Sequence, residues 1–94
     1  MTPPLARSGV QNLMYYVYII RDDDNRIYIG RSDDLKTRIS DHKKGKVYTT
    51  KKFSNPELFY YEAYPVKEMS KERERKLKQF GSSYNGLLKR LRLK

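Results

Sequence analysis

The chain has 94 residues, of which 37% are hydrophobic and 34% are charged, so we expect one domain with a single compact core. It carries 21 Lys and Arg residues against 11 Asp and Glu residues. The resulting net charge of +10 favours nucleic acid as the partner, because phosphate contacts release counterions. The alternative is a ribosome-associated or merely soluble basic protein. The absence of cysteine excludes disulfides and a cysteine-based zinc site.

The N-terminus lacks an apolar run of signal-peptide length, and no stretch is long enough to span a bilayer. We therefore expect a cytoplasmic protein (or a nuclear one), not secreted and without membrane contact. Residues 1–14 contain paired prolines and no clear period, which predicts a flexible leader. Residues 15–94 are expected to form the single domain.

Two strands open the predicted fold. Residues 15–21 are rich in β-branched and aromatic side chains, with Tyr16, Tyr18 and Ile20 on one face. Residues 22–25 supply turn chemistry; they predict an exposed turn in preference to a calcium loop, because no terminal glutamate follows. Residues 26–31 form the returning strand, in which Gly30 permits a bend or a close backbone approach.

A helix is predicted next, from a cap within residues 32–34 to about Lys44, ending at Gly45. At about 100° per residue, His42 lies on the apolar stripe and Arg38 at its edge. Each of these two residues also has an ordinary interpretation. His42 is then a core histidine with satisfied hydrogen bonds, and Arg38 a surface arginine whose stem covers apolar surface.

Residues 46–55 are basic and aromatic, and they predict a loop with little regular structure. Tyr48 and Phe53 either stack on bases or anchor this loop to the core. A third strand is predicted over residues 58–64. The residues expected to contact nucleic acid are the cations near this loop and its tyrosine: Arg31, Lys43, Lys44, Lys46, Tyr48, Lys51 and Lys52.

A second helix is predicted over residues 65–80, ending at Gly81, with an apolar stripe of Val66, Met69, Leu77 and Phe80. Glu74 lies at the edge of that stripe and can reach a site between helix and sheet. Its alternative role is an ion pair with Lys78, which lies four residues further on. A third helix follows a predicted cap at residues 82–83 and is expected to pack through its leucines.

The order of these motifs resembles that of the GIY-YIG nuclease family, in its small single-domain members. Residues 28–30 (YIG) reproduce the second motif, and residues 16–18 (YVY) form the first motif, with Tyr16 in place of the family's glycine. Arg38, His42 and Glu74 match the family's helix arginine, histidine and metal-binding glutamate. Asn85 lies where the family often has a supporting asparagine.

The resemblance implies an α+β fold, a three-stranded antiparallel sheet flanked by helices in the order β-β-α-β-α-α. It implies catalytic roles for five residues. Tyr18 acts as general base or holds the attacking water, Tyr28 orients the phosphate, Arg38 neutralises phosphoryl charge, His42 accepts or relays a proton from Tyr18, and Glu74 holds one Mg²⁺ or Mn²⁺. Gly30, Arg31 and Asn85 are the supporting residues. A tyrosine base is unusual at a pKa of about 10, and the metal, Arg38 and His42 are expected to favour its phenolate.

The leading hypothesis is a metal-dependent DNA endonuclease, structure-selective or weakly specific, acting in DNA repair or processing. All the residue types that the chemistry needs are present, which favours this hypothesis over a non-catalytic nucleic-acid-binding module. The scarcity of DNA-reading elements keeps open a nuclease subunit that depends on a protein partner for activity.

Overall fold

The computed structural model describes residues 14–91. Its elements follow the order strand, strand, helix, strand, helix, helix: β1 (Tyr15–Arg21), β2 (Ile27–Ser32), α1 (Leu35–Lys43), β3 (Glu57–Tyr64), α2 (Lys67–Lys78) and α3 (Ser82–Arg90). The predicted α+β class and element order are confirmed. The expected leader lies outside the described residues except for Met14, which packs against the core.

The sheet is antiparallel with the strand order β2-β1-β3, so β1 is the central strand. Because both faces of β1 are covered, its sequence is apolar and aromatic at nearly every position. In the register of the sheet, Tyr18 lies directly opposite Gly30 on β2 and Tyr61 on β3. The strand β2 is an edge strand, and the tyrosine of its YIG motif therefore lies at the border of the sheet.

Each face of the sheet has its own buried cluster. One cluster joins the sheet to α2 and α3 through Val17, Ile19, Ile29, Leu77 and Leu87. The other joins the sheet to α1 through Tyr16, Tyr18, Ile20 and Leu35. The alternation along β1 thus directs Tyr18 toward α1, as the sequence predicts.

Helix α1 begins at the predicted cap, where the Asp34 carboxylate accepts a hydrogen bond from the Thr37 backbone N–H at 3.3 Å. It ends before Gly45, whose φ of +73° reverses the chain at low steric cost. The residues that follow are not a fully irregular loop, because Tyr48–Thr50 form a short 3-10 turn. This segment, residues 46–55, is called the basic loop below.

The turn between β1 and β2 corrects a prediction, because its first residue, Asp22, is buried. The Asp22 carboxylate accepts hydrogen bonds from the backbone N–H groups of Arg26 at 2.8 Å and Ser54 at 2.9 Å. Burial opposes the ionised form, but these hydrogen bonds and the Arg26 guanidinium hold the pKa of Asp22 at about 2. Asp22 therefore anchors one end of the basic loop to the sheet.

The predicted apolar stripe of α2 is mostly wrong. Leu77 is buried, but Val66, Met69 and Phe80 are exposed, and the second buried residue of α2 is Ser70. Val66 precedes the helix and Phe80 follows it, so neither extends the helical periodicity. The predicted cap at residues 82–83 is also wrong, since Gly81 occupies the N-cap of α3 without a side-chain hydrogen bond.

None of the helices in the described part of the chain combines the length and apolarity needed to cross a membrane.

Candidate active site

A chain of hydrogen bonds joins β1, α1 and the basic loop. The Tyr18 hydroxyl lies 2.9 Å from His42 Nε2, and His42 Nδ1 lies 2.7 Å from Thr50 Oγ1. All three residues are buried. His42 follows Tyr18 by 24 positions in the sequence, and the last turn of α1 brings its imidazole under the sheet.

The protonation state of this chain follows from its environment. Burial and, after it, the neighbouring positive charge of Arg38 lower the pKa of His42 to about 4. At neutral pH the imidazole therefore carries one proton. We assign that proton to Nδ1, where it is donated to Thr50, because Nε2 is then free to accept the hydrogen bond of Tyr18.

Tyr28 completes an aromatic group around the imidazole. Its ring centroid lies 5.0 Å from that of His42 and 6.3 Å from that of Tyr18. Gly30 makes this approach possible, because a Cβ at this position would lie 2.5 Å from Tyr18 Cζ and Oη and 2.8 Å from Tyr28 Cε2. Any side chain at residue 30 therefore displaces one of the two tyrosines.

Arg38 lies beside the two phenols, and its interactions with Tyr18 and then with Tyr28 raise the pKa of its guanidinium. Burial raises the pKa of Tyr18 to about 12, although the Arg38 guanidinium acts in the opposite direction. The described residues thus favour the neutral phenol of Tyr18, not the phenolate that the resemblance implied.

Glu74 approaches from the other face of the sheet, around the edge strand β2. One carboxylate oxygen lies 3.5 Å from Arg31 Nε, and the other lies 3.2 Å from Lys78 Nζ. The ion pair with Lys78 that the sequence offered as an alternative is therefore present. The side chain of Glu74 keeps about a fifth of its surface exposed, 21%, so a ligand can reach its oxygens.

The side chains near Glu74 determine how this site could hold a divalent ion. No group of three or more His, Cys, Asp or Glu side chains converges within residues 14–91, and Glu74 is the carboxylate that lies beside Arg31 and the cleft. Mg²⁺ retains several waters and accepts one or two carboxylates together with substrate phosphate, a mode that Glu74 fits. Binding in this mode requires Arg31 and Lys78 to yield the carboxylate oxygens.

A cleft that includes Arg31 and Arg38 is lined by three cationic side chains. Arg31, Arg38 and Lys67 border it, and its remaining lining residues are Tyr15, Ser32 and Asp33. Arg31 Nε is buried and makes no hydrogen bond within the described residues. The cleft therefore offers positive charge beside Glu74, which suits a phosphate group.

The expected nucleic-acid contacts divide into two groups. Lys43 is paired with Glu57 at 3.1 Å, and Arg31 lies inside the cleft. The others are exposed on and near the basic loop: Lys44, Lys46, Tyr48, Lys51 and Lys52. Tyr48 is 82% exposed, whereas Phe53 packs against the core. Of these two aromatic residues, Phe53 is therefore the one that anchors the loop.

Three residues show the limits of the sequence argument. Thr50 was missed because it lies in a segment without periodicity, although a buried histidine generally needs a hydrogen-bond partner for Nδ1. The position of Lys78 next to the aromatic group was also missed. Lys78 Nζ lies 5.9 Å from the Tyr28 ring centroid and thus connects Glu74 with the aromatic group. Asn85 is exposed on α3, and its supporting role stays a prediction.

Comparison with known proteins agrees with this geometry. The family model described as the GIY-YIG catalytic domain matches residues 14–87, which span both tyrosines, α1 and Glu74. The chain belongs to the GIY-YIG family. GIY-YIG domains are nuclease domains, so the family indicates a hydrolase type of protein that binds nucleic acid.

The GIY-YIG relatives include UPF0213 proteins of staphylococci. The one from Staphylococcus epidermidis is 33% identical over 67 residues, which cover 70% of this chain and 82% of the relative. Over the same shares, the proteins of Staphylococcus haemolyticus and Staphylococcus aureus are 34% and 30% identical. No solved structure gives a significant match.

Proposed function

We propose that this GIY-YIG protein is a metal-dependent endonuclease that hydrolyses DNA, with structural or weak sequence selectivity, in DNA repair or processing. The observation that carries the proposal is the buried Tyr18–His42 hydrogen bond of 2.9 Å, formed beside Arg38 and Tyr28. A neutral histidine held as a proton acceptor against a phenol is an arrangement suited to proton transfer. The net charge of +10 supports a polyanionic substrate.

The proposed proton path runs from water through Tyr18 to His42. The attacking water gives a proton to the Tyr18 oxygen as Tyr18 passes its own proton to His42 Nε2. The phenolate is never required as a stable species, which removes the difficulty of a pKa of about 12. Since Tyr18 has no exposed surface, the path requires substrate binding to admit water to its hydroxyl.

Arg38 and Tyr28 are proposed to act on the phosphoryl group. Arg38 lies at the cationic cleft and presents N–H donors that suit phosphate oxygens. Tyr28 interacts with Arg38 and is proposed to orient the same group. The stabilisation of charge on the transferring phosphoryl group is the main task of a protein in this chemistry.

Glu74 is the proposed ligand of one Mg²⁺ or Mn²⁺, the type of ion that nucleases of this family generally use. The bound ion would neutralise negative charge on the leaving oxygen. Arg31 and Lys78, which contact Glu74 here, would then be released toward the phosphates of the substrate.

One observation favours a second candidate, a nucleic-acid-binding module without turnover. Tyr18 is fully buried and Glu74 is already paired with two cations, so the Tyr18 hydroxyl is closed to water and the charge of the Glu74 carboxylate is balanced. A protein partner that opens the site would make the chain an active subunit.

A strand-cleavage assay separates these functions. Labelled duplex, nicked, flap, branched and single-stranded DNA are incubated with Mg²⁺, Mn²⁺ or chelator. We expect products that require the metal and that disappear in Tyr18→Phe, which lacks the hydroxyl but keeps the ring. Salt-sensitive binding without products on every substrate would instead support the binding module.

A further inference from the structure

A second groove lies along the outer border of β2, next to the candidate active site. Its lining residues come from the edge strand, the basic loop and the end of α2: Ile27, Tyr28, Ile29, Thr49, Lys78 and Phe80. Ile29 belongs to the buried cluster that joins the sheet to α2 and α3, and Ile27 packs against that cluster, so this side of the groove is held in place. Tyr28 belongs to both the groove and the catalytic group, which makes the groove continuous with the site. We call it the outer groove.

The aromatic wall of the outer groove is held in an unusual position. Phe80 directly follows the C-cap of α2 and has a φ of 55°, a conformation for which glycine is normally preferred. Its side chain is 58% exposed, and its ring lies 4.8 Å from the Tyr84 ring in an edge-on contact. The fold thus keeps a bulky apolar ring facing solvent where it buries little surface of its own.

Positive charge is available where the groove meets the active site and on the basic loop. Lys78 Nζ lies over the Tyr28 ring and 3.2 Å from Glu74, at the junction between groove and active site. At the other side, Thr49 belongs to the same 3-10 turn as the exposed Tyr48, whose ring lies 4.5 Å from Lys51 Nζ. A ligand of the groove should therefore combine a flat apolar part with negative charge.

We propose that the outer groove binds one unpaired nucleobase of the substrate strand, next to the scissile phosphate. The proposal rests on the nuclease function given above and specifies its substrate as a polynucleotide with an unpaired base at the cleavage point. A base stacks on an aromatic ring with either of its faces, while Lys78 contacts the adjacent phosphate. A paired base cannot occupy the groove, because its faces are covered by its neighbours in the duplex.

The test measures binding in chelator, so that it does not depend on cleavage. The probe is a DNA duplex with a short unpaired tail that carries 2-aminopurine beside the junction, compared with the same duplex whose tail is abasic. We expect wild-type protein to quench the 2-aminopurine fluorescence and to bind the base-containing tail about tenfold more tightly than the abasic tail.

The decisive variant is Phe80→Leu, which keeps an apolar side chain and removes the stacking surface. We expect it to lose the preference for the base-containing tail while binding blunt duplex as the wild type does. Phe80→Tyr, which keeps an aromatic ring, should show the same preference as the wild type. The matched control is Phe59→Leu, an exposed phenylalanine on β3 at the opposite edge of the sheet, which should behave as wild type.

Any of three results would overturn the proposal. The first is equal affinity of wild-type protein for the two tails, and the second is a preference that persists in Phe80→Leu. The third is a concentration-dependent dimer, detected by sedimentation, that Phe80→Leu abolishes without changing the preference, because the groove is then filled by a second copy. A base-dependent preference without metal-dependent cleavage would retain the groove and reject the nuclease, so the two failures are distinguishable.

Discussion

Gly30 is the residue on which the contact between the two tyrosines depends. Its Cα faces Tyr18 across the β1–β2 pairing, where the Tyr18 ring occupies the space that a side chain would need. The same restriction is absent at Gly86 on α3, where an added Cβ meets nothing within 4 Å. The two glycines therefore make a matched pair for testing how precisely the site is packed.

We predict that Gly30→Ala destabilises the fold by about 1–3 kcal/mol, because the methyl group overpacks the core against Tyr18. Gly86→Ala should instead increase the free energy of unfolding by about 0.5–1 kcal/mol, since alanine favours the helix. Urea denaturation measures both changes. A neutral Gly30→Ala would show that the tyrosines can move apart freely, contrary to the packing described here.

His42 is the only histidine of the chain, so its imidazole gives a single signal in a proton NMR titration. We predict a midpoint near pH 4, since burial and then the charge of Arg38 lower the pKa. Because the unfolded chain takes up this proton at about pH 6.5, the free energy of unfolding should fall as the pH drops from 6.5 to 4. Above pH 6.5, the free energy of unfolding should no longer depend on the protonation of His42.

Arg38→Gln should raise the midpoint of this titration toward 6.5, because the repulsive charge is removed. Lys36→Gln, an exposed position on the same helix, should leave the midpoint unchanged. A midpoint near 6.5 in the wild type would mean that His42 is not buried against Tyr18.

At the scale of elements, the placement of α2 depends on a partly buried ion pair next to Glu74. Glu62 on β3 accepts hydrogen bonds from Arg73 Nε at 2.9 Å and Nη2 at 3.0 Å, and also from the hydroxyls of Tyr60 and Tyr64. Although burial opposes it, the hydrogen bond from Arg73 and those from the tyrosines hold the pKa of Glu62 below its usual value. Arg73 precedes Glu74, so this pair fixes the turn of α2 that carries the candidate ligand.

We predict that Glu62→Ala lowers the free energy of unfolding by about 2–3 kcal/mol, because Arg73 is left half-buried without its partner. The matched control is Glu57→Ala on the same strand, where the pair with Lys43 is exposed and should contribute less than about 1 kcal/mol. Equal losses for both variants in urea denaturation would argue against a special role for Glu62.

The sequence predicted the elements whose patterns are local. The alternation of residues 15–21 placed Tyr18 on one face of β1, and the spacing of Arg38 and His42 placed both on or beside the inward stripe of α1. The pairing of Tyr18 with His42 came from the family resemblance, and the structure brings the two side chains into contact. The partner Thr50 was not predictable, because the basic loop takes its shape from tertiary contacts such as Asp22 with Ser54. The exposed side of α2 was missed because the pattern assumed a helix over residues 65–80, whereas the observed helix, Lys67–Lys78, leaves Val66 and Phe80 outside it.

For the molecule as a whole, the excess positive charge predicts how binding responds to salt. Each phosphate contact contributes about 0.9 to the slope of log affinity against log salt concentration. Lys51 and Lys52 are exposed on the basic loop, so replacing both with glutamine should reduce the slope by about 2.

The control for this prediction carries the same charge change on α3, which packs on the opposite face of the sheet: Lys89→Gln with Arg90→Gln. It should alter the slope less than the loop variant does. If both double variants change the slope equally, the positive charge acts as a diffuse field and the basic loop has no special contact with the nucleic acid.

The most direct test of the central claim is strand cleavage by Glu74→Gln beside Glu72→Gln, in Mg²⁺, on a duplex with an unpaired tail. Both residues lie on α2, but Glu72 is exposed and paired with Arg75, away from the site. We predict that wild type and Glu72→Gln cleave alike and that Glu74→Gln cleaves at least about 100-fold more slowly. Undiminished cleavage by Glu74→Gln, or wild-type protein that binds this DNA and never cleaves it, would contradict the active site described here.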